Sequence, residues 1–315
     1  MNFIKLVKEA RIKQQQIQLH NEIEILKAYK LATKEIESKI QENIKRGYGV
    51  DYFLDLKDEL DFMVDFLNKS ISRLVKEAMQ DICDVNMNVQ ISFNNFVYPA
   101  EVAFYANKSL KINNYNMLHT LISGEYYKDG KSLDSRIWNI TSKNKKDIEK
   151  LIASNIASGI NSRTLAEKLD NYINPFVRTK AKTIVSGMSR NISYQAQRLA
   201  RTSITQTANE TNRQNAENNV FCSGLKWNLS PSHYERQIKR WGPDICDDYA
   251  TQNGYNLGVG VFPTDAYPVS HPNCLCYSTQ VQPSLEDVIH RVSNWVDGSE
   301  DKELEAAYQK WKSDS

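Results

Sequence analysis

From Phe3 to about Arg46 the chain contains neither proline nor glycine and consists mostly of Lys, Glu, Gln, Ile, Leu and Ala. Nothing in that stretch stops a helix, and its commonest residues are good helix formers, so one long helix is expected. Its apolar stripe runs Ile23, Ile25, Leu26, Tyr29, Ile36, Ile40 and Ile44, and it thins toward the start, where Gln14, Gln15 and Gln16 follow one another. Gly47 and Gly49 supply the residues that commonly end a last helical turn. A second helix is expected from about Asp51 to Asp81, with Leu56, Leu60, Met63, Leu67, Ile71, Leu74, Ala78 and Ile82 spaced by threes and fours. Two such faces predict an antiparallel helical hairpin held by mutual packing.

After Val85 the helical period fades and Asn, Tyr and Phe accumulate, so residues 85–134 are expected to be irregular, with short strands or helices. Helices return at Lys146 to Ser158 and Ser162 to Ile173, separated by Gly159-Ile160-Asn161, with Ser162 as the expected N-cap of the second. From Ser284 a helix is expected to run to near Gly298, followed by a short charged helix over residues 302–312 that frays at its end. The fold class is thus a mainly α N-terminal region with a long helical hairpin, joined to an α+β C-terminal domain that ends in a Cys/His knuckle. The expected divisions are residues 1–130, residues 131–283 with the knuckle at 227–276, and a helical tail at 284–315.

The knuckle rests on a concentration of donor atoms. Residues 227–276 hold two of the five histidines, His233 and His271, and three of the five cysteines, Cys246, Cys274 and Cys276. Imidazole and thiolate are the donors zinc prefers, and four of them close a tetrahedral site. On an extended segment Cys274 and Cys276 face the same way, and Pro272 keeps His271 extended or in a turn just before them. A fourth ligand would come from Cys246, or from His233 as its substitute, across a loop that contains Gly254, Gly258, Gly260 and Pro263. The spacing is neither paired CxxC nor CxxC with HxxxH, so two other outcomes stay open: buried reduced thiols, or a disulfide that involves Cys246. Cys83 and Cys222 are expected to be buried thiols, with Cys222 as a reserve ligand.

Bulk properties narrow the class. The 315 residues, 41% of them hydrophobic, suffice for two domains and a proper core. No run of about 18 apolar residues occurs, so neither a membrane anchor nor a secretory signal is expected. An odd cysteine count without framework spacing points to a reducing compartment. The 40 basic and 38 acidic residues nearly cancel, yet the 39 residues from Asn171 to Asn209 contain no Asp or Glu while including Arg178, Lys180, Lys182, Arg190, Arg198 and Arg201. Such a segment favours an acidic or phosphate-rich partner, packaged DNA included, through phosphates rather than bases. A solvated helix face that packs on acidic surface of the same protein explains it equally.

Several of these stretches together resemble a known group. Leu199-Ala200-Arg201-Thr202-Ser203-Ile204 is followed some seventy residues later by His271-Pro272-Asn273-Cys274-Leu275-Cys276, with Ser230-Pro231-Ser232-His233 and Asp244-Ile245-Cys246-Asp247-Asp248-Tyr249-Ala250 between them. Upstream lie Leu133-Asp134-Ser135-Arg136-Ile137-Trp138 and the run from Gly159 to Leu169. Over roughly residues 130–280 this arrangement resembles the head-morphogenesis group of minor head proteins of tailed bacteriophages, of the Mu F-like kind. The resemblance implies a virion component at the portal vertex, made in the host cytoplasm, that touches the portal protein and other capsid or scaffolding proteins during head assembly, DNA packaging or delivery. Many relatives carry CxxC ahead of the HPNC element. Here no cysteine stands three residues ahead of Cys246, which makes His233 or the nearby Asp244 the candidate replacement. Arg201 and Thr202 are expected to organise the fold, the guanidinium being tied to carbonyls or a carboxylate.

Two enzymatic alternatives remain at this stage. A metal-dependent nuclease would use His271 and the pair Asp247-Asp248, but a site closed by soft ligands leaves no room for water. An ADP-ribosyltransferase would need Arg201, Ser278-Thr279 and Glu303-Leu304-Glu305, motifs short enough to arise by chance.

Overall fold

The computed structural model describes residues 3–47, 49, 52–53, 56–177, 188 and 191–314. It is mostly helical, with long helices first and a small three-stranded antiparallel sheet late in the chain. The expected first helix is two, α1 (Phe3–Ala32) and α2 (Lys34–Arg46), separated at Thr33. Thr33 Oγ1 donates to the Tyr29 carbonyl at 2.9 Å, a side-chain bond of the kind that competes with the helix ladder and bends it. Gly47 then ends α2 in the left-handed conformation, φ 68°.

The next helix, α3 (Lys57–Val97), runs 16 residues past the expected end at Asp81, and α4 (Ala100–Ser123) follows after Pro99. The stretch expected to be irregular is therefore largely helical. Its period was hidden because asparagines occupy core positions. Gln90 donates to Asn94 at 3.0 Å and Asn94 to Asn107 at 2.9 Å, Asn86 donates to the Ala208 carbonyl at 3.0 Å, and Asn114 donates to Asn215 Oδ1 at 3.1 Å. These bonds, within α3 and across to facing helices, satisfy most of the polar groups that burial would otherwise penalise, although Asn114 Oδ1 is left without a partner.

Next come α5 (Leu133–Ala157), which begins well before Lys146 because Ser132 caps it by accepting from Ser135 N, and α6 (Ser162–Ile173), capped by Asn161 rather than Ser162. Asn161 has the extended backbone of a cap and accepts from Thr164 N, whereas Ser162 is already helical. Helix α7 (Tyr194–Glu217) leads to β1 (Gly224–Asn228), which pairs antiparallel with β2 (Val261–Phe262) on one side and β3 (Tyr277–Val281) on the other. Between β1 and β2 lie a single π-helical turn (Tyr234–Ile238), the short α8 (Lys239–Trp241) and α9 (Ile245–Thr251). Helices α10 (Leu285–Val296) and α11 (Lys302–Ser313) close the chain.

Contacts cluster into two units, neither of them a consecutive stretch, unlike the three consecutive divisions expected. One comprises Met1–Gln18, Ala78–Leu121 and Arg201–Ser315; the other comprises Leu19–Glu77 and Ile122–Ala200. In the second unit Asn21 donates to the Leu74 carbonyl at 2.7 Å and Lys39 pairs with Glu59, so the chain direction of α3 opposes that of α1 and α2, as a hairpin requires. Its core includes Ile25, Tyr29, Ile36, Ile40, Met63, Leu67 and Ile71, joined by Ile148, Leu151 and Leu165. Tyr29 OH accepts from Asn144 at 2.7 Å, and Tyr172 OH donates to Asp147 at 3.2 Å.

Two of the first unit's cores are rich in aromatic side chains. Phe93, Val97, Tyr98 and Phe221 pack with Val288, Val292, Leu304 and Trp311. Trp311 is 2% exposed, and its Nε1 donates to Asn218 at 2.6 Å, so α11 is held by packing and does not have the frayed end expected from its charged sequence. The other core is the knuckle itself.

Candidate metal centre

The sheet builds the floor of the site. Leu225 and Trp227 point inward from β1 while Lys226 points out, and they pack with Phe262, Tyr267, Ala216 and the three sulfurs of Cys246, Cys274 and Cys276. Trp227, 1% exposed, meets the rings of Tyr249 and Tyr267 at centroid distances of 5.1 and 5.5 Å. Gly260 brings the long loop back beneath this tryptophan. Its φ is 71° and its carbonyl accepts from Trp227 N at 2.8 Å, while a Cβ there would meet the Ala250 carbonyl oxygen at 2.7 Å, so only glycine fits.

His271-Pro272-Asn273-Cys274 forms a tight turn. Cys274 N donates to the His271 carbonyl at 3.2 Å, proline occupies the second position, and Asn273 has φ 71° at the third, the pattern of a type II turn. The turn brings His271 and Cys274 together, and Cys274 Sγ accepts from Cys276 N at 3.2 Å. Cys246 comes from the first turn of α9. Asp244 caps that helix by accepting from Cys246 N at 2.9 Å, and Asp247 Oδ2 returns a bond from Asp244 N at 2.8 Å, a reciprocal capping box.

These elements converge on one cluster. Cys246 Sγ lies 3.5 Å from Cys274 Sγ and 3.0 Å from His271 Nε2, a set of buried and half-buried donors that could hold a metal ion. Cys276 Sγ lies 3.9 Å from His233 Nδ1. His233 in turn places Nε2 3.1 Å from Asp247 Oδ2 and 3.9 Å from Asp244 Oδ1, a second close group. Asp244 links the two groups, since its Oδ2 is 3.4 Å from His271 Nε2. The expected ligands thus lie in one neighbourhood, with Cys246, His271 and Cys274 in the tightest group and His233 tied to carboxylates beside Cys276. All five cysteines are free thiols, and the 3.5 Å between the sulfurs of Cys246 and Cys274 is well beyond the ~2.05 Å of a disulfide bond. Cys222 is turned elsewhere and donates to the Gly224 carbonyl at 3.2 Å.

Electrostatics fits a cation. Hydrogen bonds from Cys246 and Cys274 hold Cys276 far below the ordinary thiol range, while bonds to Cys274 and Cys276, with burial, push Cys246 up. One sulfur therefore ionises readily and its neighbours resist, because like charges at this spacing repel. A divalent ion held by Cys246, His271 and Cys274 would offset that repulsion. Donor separations of 3.0 and 3.5 Å suit a small ion, since tetrahedral zinc holds its ligands at about 2.0–2.3 Å.

Helix α7 fastens the turn from above with a polar stripe that sequence reasoning only half saw. Arg201 Nη1 donates to Asn273 Oδ1, and Thr202 Oγ1 accepts from Asn273 N at 2.9 Å. The guanidinium is thus tied to a side-chain amide, and the backbone amide of the left-handed residue is satisfied. Thr205 donates to the Cys274 carbonyl at 2.9 Å, Gln206 to the Ser270 carbonyl at 3.3 Å, and Asn209 to Ser270 Oγ at 2.7 Å and the Cys276 carbonyl at 3.3 Å. Positions 202, 205, 206 and 209 share one helix face. Their spacing by threes and fours, in a stretch without acidic residues, was the signal available in the sequence. Thr202→Val is expected to cost about 1–3 kcal/mol by stranding Asn273 N. Calorimetry would show it, and a melting transition equal to wild type would remove Thr202 from this role.

The basic residues expected to face a partner are only partly covered. Arg178, Lys180, Lys182 and Arg190 lie outside the described residues, and Arg198 is half-buried on α7. The triad required of an ADP-ribosyltransferase is dispersed among other contacts, with Arg201 at Asn273, Ser278 N donating to Asn209 at 2.9 Å, and Glu303 paired with Arg291 at 2.6 Å. No described helix is long and apolar enough to cross a membrane. Beside the cluster opens a polar cavity of about 240 Å³, lined among others by Ser230, His233, Arg236, Asp244 and His271.

No family model, curated protein or solved structure matches this chain.

Proposed function

We propose that this chain is a minor head protein of a tailed bacteriophage, acting at the portal vertex in head assembly and in DNA packaging or delivery. One zinc ion on Cys246, His271, Cys274 and Cys276 would pin its knuckle, with His233 as the substitute ligand. The observation that supports this most is the junction of the two elements on which the resemblance depends. Arg201 and Thr202 grip Asn273, in the middle of the HPNC turn, across some seventy residues of sequence. Two short motifs matched by chance have no reason to bond to each other through the very residues that define them.

The donor set suits a structural ion better than a hydrolytic one. Three sulfurs and an imidazole fill a tetrahedral shell, and His233, backed by Asp247, has the arrangement of an outer partner that orients a ligand. Of the pair Asp247-Asp248 that a nuclease would need, Asp247 spends an oxygen on capping α9. When bound, the ion supplies cohesion; the chain's own residues supply the surface. Partners in this role are the portal protein, other capsid or scaffolding proteins, and DNA phosphates met by the basic run from Arg178 to Arg198. The protein would be made in the host cytoplasm and end in the virion.

Mass spectrometry of purified particles from the phage that encodes this chain should find it at few copies per particle. Particles that lack it, though assembled from a genome that expresses it, would overturn the assignment. Purified protein given magnesium, manganese or zinc should leave plasmid DNA intact, and metal-dependent nicking lost in Asp247→Asn would favour the nuclease instead.

A further inference from the structure

A guanidinium reaches the knuckle from the opposite end of the sequence. Arg11, on α1, donates through Nη2 to the Leu275 carbonyl at 3.1 Å, the residue between Cys274 and Cys276, and its guanidinium carbon lies 4.2 Å from the centroid of the Tyr277 ring. Nη1 donates to Gln14 Oε1 at 2.9 Å, while Nε is buried and makes no hydrogen bond. Burial holds the Arg11 pKa below the ordinary arginine value; the groups that oppose this are Tyr277, Cys276 and Cys274, with no carboxylate among them. A half-buried charge with no carboxylate partner among the described residues is costly, and hydrogen bonds to a carbonyl and an amide leave the charge itself unmatched. A glutamine would make those bonds at lower cost.

The missing counter-charge is supplied if the cluster holds its ion. Three thiolates and a neutral imidazole around a divalent cation leave one net negative charge. The nearest imidazole outside the ligand set, His233, already has the carboxylates of Asp247 and Asp244 beside its Nε2. We infer that Arg11 is the counter-charge of the metal–thiolate centre, so that metal binding and the seating of the first turns of α1 on the knuckle are coupled. The inference rests on the metal site proposed above. Coupling is reciprocal: if the ion favours the seated helix, the seated helix favours the ion by the same factor. Arg11 acts here as a positioning residue, since it touches the backbone between the ligands and not the ion.

Wild type, Arg11→Gln and Arg11→Lys would be compared by zinc content, by zinc affinity in competition with a chromophoric chelator, and by amide hydrogen exchange over residues 3–18 with and without zinc. Wild type should carry one zinc, and residues 3–18 should exchange about tenfold faster once it is removed. Arg11→Gln, which keeps a donor for the Leu275 carbonyl but no charge, should bind zinc about 10- to 100-fold more weakly, as loss of an outer partner does. Arg11→Lys should recover most of that loss, which a purely packing role would not produce. Zinc bound by Arg11→Gln within twofold of wild type, or exchange at residues 3–18 indifferent to zinc, overturns the coupling and leaves the metal site standing. Wild-type protein without zinc removes the metal site, and the coupling with it. If Arg11→Gln does not fold, the affinity of Arg11→Lys and the wild-type exchange decide.

Discussion

Cys274→Ser, purified without chelator, is expected to contain no stoichiometric zinc and to melt about 10 °C below wild type. Cys274 is the hub of the centre: its sulfur meets Cys246 Sγ at 3.5 Å and accepts from Cys276 N, and its carbonyl is held by Thr205. With free zinc a thousandfold above its dissociation constant, binding to the folded state alone is worth about 4 kcal/mol. In a chain of this size each kcal/mol moves the transition by about 2–4 °C. Serine replaces sulfur with a smaller, harder donor and costs little else, so wild type stripped of metal should melt close to the variant, and chelator should not lower the variant further. Unchanged metal content and an unchanged melting curve in Cys274→Ser would eliminate the structural ion.

The second large effect is expected at another core of the same unit. Trp311→Ala removes a side chain 2% exposed that meets the Tyr98 ring at 5.4 Å and bonds to Asn218. Truncation of a buried tryptophan costs about 3–5 kcal/mol, again on the order of 10 °C. Trp311→Phe keeps the ring contact and loses the hydrogen bond, leaving Asn218 Oδ1 without its donor, at about 1–3 kcal/mol. Differential scanning calorimetry separates the two, and a Trp311→Ala transition within a degree of wild type would mean that α11 is not part of the core.

Where apolar side chains recur at helical spacing the sequence reads directly. Leu56, Leu60, Met63, Leu67, Ile71, Leu74, Ala78 and Ile82 were expected on one face, and all are buried except Leu74, which is half-buried. The reading failed where burial is polar. Asn86, Asn94, Asn114 and Asn215 lie in the interior, paired across helices, and composition cannot distinguish such residues from the asparagines of a loop. It failed as well at α11, where two buried residues, Leu304 and Trp311, anchor a helix that is otherwise mostly exposed and rich in Lys and Glu. At the site, Cys246, His271, Cys274 and Cys276 were legible because their chemistry is scarce. Arg11 and Asn209 were not, because each matters through a contact distant in sequence, and Arg and Asn are common on any helix.

The make-up of the first unit bears on the order in which the polypeptide acquires its shape. The segment through Gln18 leaves the ribosome well ahead of its companions in the same unit, which include the residues from Arg201 onward. The second unit, Leu19–Glu77 with Ile122–Ala200, has all its residues available while translation is still under way. Closing the first unit requires contacts of long sequence separation, which form slowly. The turns of α1 through Gln18 must therefore wait, half-dressed, for the knuckle to be made, and a nascent chain stalled before residue 201 should show them open to protease.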